Sequence, residues 1–173
     1  MRHALLLCSI LTAAAASAGV PETMDPGQIP YYKLLTPGIA TAGQPSSQAL
    51  PKLAALGFKT VINLRMPGED APPDERAVVE GQGLRYVHVP LTAASLSAAD
   101  VAAVEKVLDD PAAAPVLFHC TTSNRVGAVW ALVQVRKGRS LDDALAAGRE
   151  AGLRSPVLEE AVRKLATPAP KAP

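Results

Sequence analysis

The feature that most constrains the fold is an alternation of short apolar, β-branched runs with longer segments of helical periodicity. The strand-like runs are residues 39–42, 60–64, 84–89 and 116–118. The helix-like segments are residues 46–56, 74–82, 97–108 and 126–135, with further helix starts at Ser140 and Ser155. Strands that alternate with helices pair in parallel, because each connection crosses over the sheet. The sequence therefore predicts an α/β fold with a central, mostly parallel sheet of about four to five strands flanked by helices.

The amino-terminal segment has the pattern of a cleaved signal peptide. Arg2 and His3 precede an apolar run, which ends in small residues at Ala18, the usual composition of a signal-peptidase site. We therefore expect cleavage near Ala18 and a periplasmic or secreted mature protein. The apolar run is too short to persist as a membrane span, which needs about 20 apolar residues.

The remaining ends of the chain are rich in proline, glycine and alanine, which indicates loose attachment to the folded part. The chain holds 17 basic and 16 acidic residues without a basic run, which argues against a nucleic-acid surface and favours a small soluble ligand. The oligomeric state stays open. The predicted organisation is a signal peptide at 1–18, a flexible lead-in at 19–30, one domain at 31–166 and a disordered tail at 167–173.

A cysteine and an arginine flank a short loop between a predicted strand and a predicted buried helix. Cys120 follows the strand at 116–118 through His119, and Arg125 precedes the helix at 126–135. The backbone N–H groups of such a loop and the positive end of the helix dipole form an oxyanion site. His119 and Arg125 in the same field favour the thiolate form of Cys120. The pattern predicts a nucleophile at Cys120 and a bidentate anion clamp at Arg125.

The residues next to Cys120 are the candidates for ligand contacts. Hydroxyl and amide side chains in a loop can face an anion, but they are also ordinary turn residues that satisfy backbone groups. Removal of the signal peptide would leave Cys120 as the only cysteine, and the commonest fate of a single cysteine is burial as a small apolar residue. The residues assigned to substrate binding are His119, Thr121, Thr122, Ser123 and Asn124, with His119 expected to pack behind the loop.

Several segments resemble the phosphatase-like domain of beta-lactamase hydrolase-like proteins, a domain related to dual-specificity protein tyrosine phosphatases. These segments are residues 39–45, 53–65 and 83–90, together with His119, Cys120 and Arg125. The resemblance implies hydrolysis of phosphate monoesters, in which Cys120 attacks phosphorus, Arg125 holds the phosphoryl oxygens and water releases the phosphate. It implies no metal and no organic cofactor. The implied partner is a phosphorylated small molecule or a phosphoprotein.

The chain departs from the tyrosine phosphatase pattern around the loop. Four residues, rather than the usual five, separate Cys120 from Arg125, a spacing that resembles rhodanese-type sulfurtransferases. Val126 replaces the Ser or Thr that commonly follows the arginine. The loop glycine is absent, so any residue that needs a positive φ is Asn124 or carries strain. A sulfurtransferase with a Cys120 persulfide and a weakly active, anion-binding pseudophosphatase therefore stay open as alternatives.

The general acid that the resemblance implies has no obvious counterpart. Residues 90–95, where dual-specificity phosphatases carry an aspartate, contain no carboxylate. Asp100 is the nearest acid but fits a helix-capping box with Ser97, and the acids after Arg65 are expected to be surface charges. Arg65 either supports the loop that follows it or lies along the strand end. The acids on that loop, which are the other candidates for the general acid, are Glu69, Asp70 and Asp74.

Overall fold

The computed structural model describes residues 19–70, 72 and 74–167, so the predicted signal peptide and most of the predicted tail lie outside the described residues. The strands are β1 (Lys33–Thr36), β2 (Ile39–Ala42), β3 (Thr60–Asn63), β4 (Arg85–His88) and β5 (Val116–His119). The helices are α1 (Glu75–Glu80), α2 (Ala98–Leu108), α3 (Asn124–Arg136), α4 (Leu141–Glu150) and α5 (Pro156–Ala166), with a 3-10 turn at Leu50–Lys52.

The strands form one five-stranded sheet in the order β1-β2-β5-β3-β4. β2, β5, β3 and β4 are parallel, and β1 pairs with β2 in the antiparallel direction. β5 is central, and all of its residues are buried. This arrangement confirms the predicted fold class. β1 was not predicted from the sequence, because this edge strand is only partly buried and lacks a strong apolar pattern.

Both faces of the sheet are covered, as a parallel sheet requires. Adjacent residues of β5 point to opposite faces, so Leu117 and Phe118 belong to two separate apolar clusters. The Phe118 cluster packs against helices α2 to α5. The Leu117 cluster packs against the 3-10 turn, α1 and the segment at 19–30, in which Val20 and Ile29 are buried. This segment was predicted to be a flexible lead-in, yet its apolar side chains complete one face of the core.

The helix predicted at residues 46–56 is wrong in type, because only the short 3-10 turn forms there. Pro51 lies inside the segment and has no backbone N–H, which removes a helical hydrogen bond. The helices predicted at 97–108 and 126–135 are confirmed as α2 and α3. Ser97 and Asp100 form the predicted capping box, in which Asp100 accepts from the Ser97 N–H at 2.9 Å.

Within the described part of the chain, no helix combines the length and the apolar character that a membrane crossing demands.

Candidate active site

The carboxyl ends of three parallel strands meet at one edge of the sheet, and Cys120 follows the middle strand, β5. On the β2 side, the Gln44 N–H donates to the Thr121 carbonyl at 3.1 Å. On the β3 side, the Leu64 N–H donates to the His119 carbonyl at 3.0 Å. The crevice at the carboxyl ends of the strands is the usual place of a ligand site in an open α/β sheet.

Cys120 presents a free thiol in a nearly sealed position. The residue is 1% exposed and packs among the apolar residues of the Phe118 cluster. It also lies near the Arg125 guanidinium. The pKa of Arg125 is raised, mainly by the hydrogen bond to Glu69. Burial opposes this rise, but the negative charges that Cys120 and Glu69 can carry add to it. The structure thus brings together the two residues that the sequence analysis assigned to catalysis.

The loop after Cys120 turns into α3 through a residue with left-handed backbone. Ser123 has φ +64° and ψ −1°, so the position with positive φ is Ser123 and not Asn124, which is already the first residue of α3. Ser123 is the residue before the helix, and its side chain does not cap it. Among the described residues, the backbone N–H groups of Thr122, Asn124 and Arg125 donate to no protein acceptor. These N–H groups at a helix amino terminus are available to an anion.

The Arg125 guanidinium is fixed at the mouth of the crevice, with a side chain only 14% exposed. Its Nη1 donates to Glu69 Oε1 at 2.6 Å and to the Leu91 carbonyl at 3.2 Å. Its Nη2 donates to Glu69 Oε2 at 2.7 Å and to the Thr121 hydroxyl at 2.9 Å. Within the described residues Nε has no protein acceptor. The edge formed by Nε and Nη2 is therefore the part of the guanidinium that can turn to a ligand, once the Thr121 hydroxyl moves aside.

Glu69 holds the guanidinium from the loop that follows β3. Its carboxylate accepts from the Met66 N–H at 2.7 Å and from Arg65 Nε at 3.4 Å, in addition to its two bonds from Arg125. The pKa of Glu69 lies well below its usual range, mainly because Arg125 donates a hydrogen bond to the carboxylate. Burial opposes this shift with a smaller effect. Glu69 is therefore ionised at neutral pH and cannot act as the general acid in this position. Arg65 is only 3% exposed and pairs with Glu69 through its Nε. It therefore supports the loop, which is one of the two roles expected for it from the sequence.

A buried polar network lies behind the loop and is built around Glu75. His119 Nε2 donates to Glu75 Oε1 at 2.9 Å, and Gln44 Nε2 donates to Glu75 Oε2 at 2.8 Å. Asn63 Nδ2 donates to Glu75 Oε1 at 3.2 Å and to the Tyr86 hydroxyl at 2.8 Å. The three hydrogen-bond partners of Glu75 and the Tyr86 hydroxyl all belong to the segments that carry the family resemblance. The network therefore ties β2, β3, β4 and β5 together directly behind the cysteine.

The network perturbs the ionisation of two of its members. Burial disfavours the charged form of Glu75, but the hydrogen bond and charge of His119, with help from Gln44 and Tyr86, outweigh it and lower the pKa of Glu75. Burial and the charge of Glu75 raise the pKa of Tyr86 to about 12. A carboxylate stays ionised inside the domain because it is fully hydrogen-bonded.

The side chains of His119, Ser123 and Asn124, which were assigned to substrate binding, all bond within the protein. His119 is fully buried and bonded to Glu75, with Nδ1 3.4 Å from the Cys120 carbonyl, so it positions the strand end. The buried Ser123 hydroxyl donates to the Ala151 carbonyl at 2.8 Å. Asn124 Oδ1 accepts from the N–H groups that precede α5. All three side chains are engaged within the protein.

Thr121 and Thr122 directly follow Cys120 in the loop. The exposed Thr121 hydroxyl donates to Glu69 Oε2 at 2.8 Å and accepts from Arg125. The Thr122 hydroxyl accepts from Asn124 Nδ2 at 3.4 Å. Of the residues assigned to substrate binding, Thr121 is thus the one whose side chain lies against Arg125, and Thr122 and Asn124 offer backbone N–H groups.

The other acids considered for proton donation lie elsewhere. Asp100 caps α2, and Asp70 and Asp74 are exposed. Val126 is fully buried and supplies no hydroxyl next to Arg125. Within the residues that the structure describes, no group of three or more His, Cys, Asp or Glu side chains is arranged to hold a metal ion.

Two parts of the site were missed from the sequence. Glu75 stands near the start of a short helix among charged residues, and nothing in its neighbourhood in the sequence indicates that it is buried. The clamping role of Glu69 was also missed, because 56 positions separate it from Arg125. The resemblance did contain a signal for the network, since it included Gln44, Asn63 and Tyr86.

A thiol at the end of a central parallel strand, followed by an arginine in the first turn of a buried helix, defines the cysteine-phosphatase fold. Residues 31–137 match the family described as beta-lactamase hydrolase-like protein, phosphatase-like domain. The chain belongs to this family, as the sequence analysis predicted.

Curated relatives carry the same family name. A beta-lactamase hydrolase-like protein from Xylella fastidiosa is 32% identical over 116 residues, which cover 63% of this chain and 26% of the relative. One from Agrobacterium fabrum is 30% identical over 105 residues, or 58% of this chain and 24% of the relative. The matched part is about a quarter of the length of these proteins.

Solved structures of phosphatases share the fold. P. aeruginosa TpbA, in complex with pTyr, matches with a TM-score of 0.63 at 23% identity, over 89% of this chain and 92% of that chain. The core catalytic domain of the PP-IP phosphatase Siw14 from S. cerevisiae, in complex with citrate, matches with a TM-score of 0.63 at 15% identity. That match covers 77% of this chain and 83% of the other.

Proposed function

We propose that this protein is a cysteine-dependent phosphatase that hydrolyses phosphate monoesters through a cysteinyl-phosphate. The observation that carries the proposal is the position of the Cys120 thiol beside a fixed Arg125 guanidinium at the amino terminus of α3. A phosphoryl group in this position would meet the unpartnered N–H groups of the loop and the Nε–Nη2 edge of Arg125. Membership of the phosphatase-like family supports the same reaction class.

The reaction divides into two displacements at phosphorus. The Cys120 thiolate attacks, a sulfur–phosphorus bond forms, and the bond to the leaving-group oxygen breaks. The leaving group departs with the bonding electron pair and takes a proton from water. A water molecule then attacks the cysteinyl-phosphate, the sulfur–phosphorus bond breaks, and inorganic phosphate and the thiolate are released. Arg125 and the loop N–H groups stabilise the charge on the phosphoryl oxygens in both steps.

The bonds made by the candidate general acids bear on which leaving groups the enzyme can release. Glu69 is held ionised by Arg125, and Asp100 caps a helix, so the leaving group would receive little help from a protein acid. Good leaving groups need such help least, because they depart as stable anions. We therefore expect phenols, including the tyrosine side chain, to be better leaving groups for this enzyme than aliphatic alcohols. The phosphotyrosine complex of TpbA, a protein of the same fold, fits this expectation.

The proposal includes export, as the amino-terminal sequence pattern indicates. The phosphorylated partner would then be a small molecule or a phosphoprotein outside the cytoplasm. Cys120 would be the only cysteine of the mature chain, and its burial would protect the thiol from oxidation in that compartment.

The test is hydrolysis of an aryl phosphate by the wild-type protein and by Cys120→Ser. Phosphate release that is lost in Cys120→Ser, together with trapping of a phosphorylated cysteine, is the expected result. Arg125→Lys should lower kcat/KM by about 100-fold, because a single ammonium group cannot replace two fixed guanidinium donors. Full activity of Arg125→Lys would contradict the clamp.

The same protein should also be assayed with thiosulfate and cyanide, because the spacing of four residues between Cys120 and Arg125 resembles that of sulfurtransferases. Formation of thiocyanate, without release of phosphate, would show that the protein is a sulfurtransferase and not a phosphatase. Vanadate binding without either activity would show that the protein is a non-catalytic anion-binding module.

A further inference from the structure

Arg154 lies at the rim of the candidate active site, although it follows α4 and is far from the loop in the sequence. Its Nη2 donates to the Thr122 carbonyl at 2.5 Å, and its backbone N–H donates to Asn124 Oδ1 at 2.7 Å. Both acceptors belong to the loop between Cys120 and Arg125. Because Thr122 is two positions from Cys120, their Cα atoms are at most about 7 Å apart. The exposed Arg154 side chain is therefore fastened to the loop two residues after Cys120.

Tyr31 supports Arg154 from the other side of the rim. The Arg154 guanidinium carbon lies 4.8 Å from the centroid of the Tyr31 ring, a cation–π contact. The ring packs over Gly43, where a Cβ would lie 2.9 Å from Tyr31 Cδ2 and 2.8 Å from the Thr121 carbonyl oxygen. Only glycine allows Tyr31 and the loop to approach each other this closely.

The Tyr31 backbone is held in an unfavourable conformation. Its φ of +55° is unusual for a bulky residue, and the side chain is 55% exposed. A large exposed ring gains little from burial, so burial alone does not explain the strain. Strained residues of this kind cluster at binding sites, where the surrounding structure fixes the side chain for a ligand.

The charge of Arg154 is not compensated within the protein. Among the described residues, Arg154 and Arg139 are the arginines without a carboxylate within 4 Å. The arginines that do have one are Arg65, Arg76, Arg85, Arg125, Arg136, Arg149 and Arg163. Arg139 follows α3 and has no contact with the loop. Arg154 is thus an uncompensated guanidinium that lies over an aromatic ring, 4.8 Å from its centroid, beside the loop between Cys120 and Arg125.

We propose that Tyr31 and Arg154 form a second anion subsite, which selects substrates that carry a carboxylate or a second phosphate near the hydrolysed phosphate. This inference rests on the proposed function, because it assumes that the first phosphate binds in front of Cys120. The second anion accepts hydrogen bonds from the Arg154 guanidinium. The contact with Tyr31 and the hydrogen bonds to Thr122 and Asn124 hold Arg154 at the loop, so the subsite recognises the distance between the two anions as well as their charge.

The test compares the binding of phenyl phosphate and of 4-carboxyphenyl phosphate, two ligands that differ only in the second anion. Binding is measured by isothermal titration calorimetry with the full chain carrying Cys120→Ser, so that the result does not depend on turnover. We expect the carboxylated ligand to bind about tenfold more tightly, the usual effect of one charge-assisted hydrogen bond. Arg154→Gln should bring the ratio of the two affinities close to one, and Tyr31→Ala should lower it.

Arg139→Gln is the matched control, because it removes the other uncompensated guanidinium at a place away from the loop, and it should keep the parent ratio. Equal affinities in the parent, no measurable binding of either ligand, or a ratio unchanged by both Arg154→Gln and Tyr31→Ala would overturn the inference. Failure of the proposed function has a different signature, since it is the absence of phenyl phosphate hydrolysis by the protein with Cys120 intact.

Discussion

The Glu69 carboxylate joins two arginines that come from different parts of the chain. It accepts from both terminal nitrogens of Arg125 and from Nε of Arg65 at the end of β3. If Arg125 is the catalytic clamp that we propose, this carboxylate either holds the guanidinium in place or competes with the substrate for it. The unpartnered Nε of Arg125 favours the first role, because one edge of the guanidinium stays available while Glu69 occupies the other.

Glu69→Gln distinguishes these two roles. If Glu69 positions Arg125, loss of its charge should lower kcat/KM for an aryl phosphate by about tenfold, the effect of one weakened charge-assisted interaction. Steady-state kinetics and the affinity for vanadate measure the change. Glu159→Gln is the matched control, since Glu159 also bridges two arginines but on the surface of α4 and α5, and it should leave both values unchanged. Tighter vanadate binding by Glu69→Gln would instead identify Glu69 as a competing anion.

Glu75 links the site to acid stability. Its pKa is lowered in the folded state, so the unfolded chain binds more protons as the pH falls. The ionised Glu75 therefore contributes stability above its unfolded pKa of about 4.3, and this contribution is lost as the pH falls through the folded-state pKa. Glu75→Gln should cost about 2 kcal/mol near neutral pH, and the difference from the wild type should shrink in acid.

Urea unfolding at a series of pH values from about 7 to about 3 measures this difference. Glu80→Gln is the control, because Glu80 lies in the same helix and pairs with Arg76 at the surface. It should change the free energy of unfolding by less than about 1 kcal/mol at every pH. A cost of Glu75→Gln that stays constant over the whole range would show that the Glu75 charge is not the source of the stability.

At the scale of elements, the turn after α4 shapes the loop between β5 and α3. Gly152 has φ +116°, and a Cβ there would lie 2.6 Å from Ser123 Cβ and 2.8 Å from Ser123 Oγ. The buried Ser123 side chain cannot move aside, because its hydroxyl is bonded to the Ala151 carbonyl. The left-handed backbone of Ser123 and the close approach of Gly152 therefore depend on each other.

Gly152→Ala should destabilise the protein by about 3–4 kcal/mol and weaken phosphate binding, because it adds a steric clash at Ser123 to the cost of a positive φ. Gly138→Ala separates these causes. Gly138 has φ +89° with no atom near the position of a Cβ, so alanine there should cost only about 1–2 kcal/mol and leave phosphate affinity unchanged. Urea unfolding and calorimetric phosphate binding measure both effects. Equal destabilisation by the two variants would mean that the contact with Ser123 is unimportant.

The elements that the sequence predicted well are those with strong apolar patterns or local capping signals. β5 and α3 are almost fully buried, and α2 has a complete capping box. The local residue pattern was therefore enough to predict these three elements. The pairing of Cys120 with Arg125 followed from these two elements. The 3-10 turn and β1 were missed, because they depend on a proline in the first case and on edge pairing in the second.

The rest of the site could not be predicted because it depends on contacts between distant segments. Glu69 and Arg154 approach the loop from connections whose sequences resemble ordinary polar surface. Ser123 adopts a positive φ where Asn124 has the better intrinsic preference, since the fit against Gly152 and Ala151 decides the conformation. Tertiary packing overrides local propensity at each of these places.

At the scale of the whole molecule, the chain combines a folded domain with an amino-terminal export pattern. The segment after Ala18 is part of the fold, because Val20 is buried and the Tyr32 hydroxyl donates to the Pro21 carbonyl at 2.5 Å. Cleavage near Ala18, as proposed, would leave these contacts intact. A cut several residues further along would remove Val20 from the Leu117 cluster and expose apolar surface.

Expression of the full chain in a bacterial host, followed by fractionation and mass spectrometry, tests the proposed export. We expect a periplasmic product that begins at or next to Gly19, and Leu6→Arg should prevent processing, because a charge in the apolar run opposes its insertion. Val157→Arg is the control, since it places the same charge on an exposed apolar side chain of the domain and should leave processing unchanged. Recovery of the uncleaved chain from the cytoplasm in the wild type would contradict export. The substrate of the proposed Cys120 phosphatase would then be an intracellular phosphate ester.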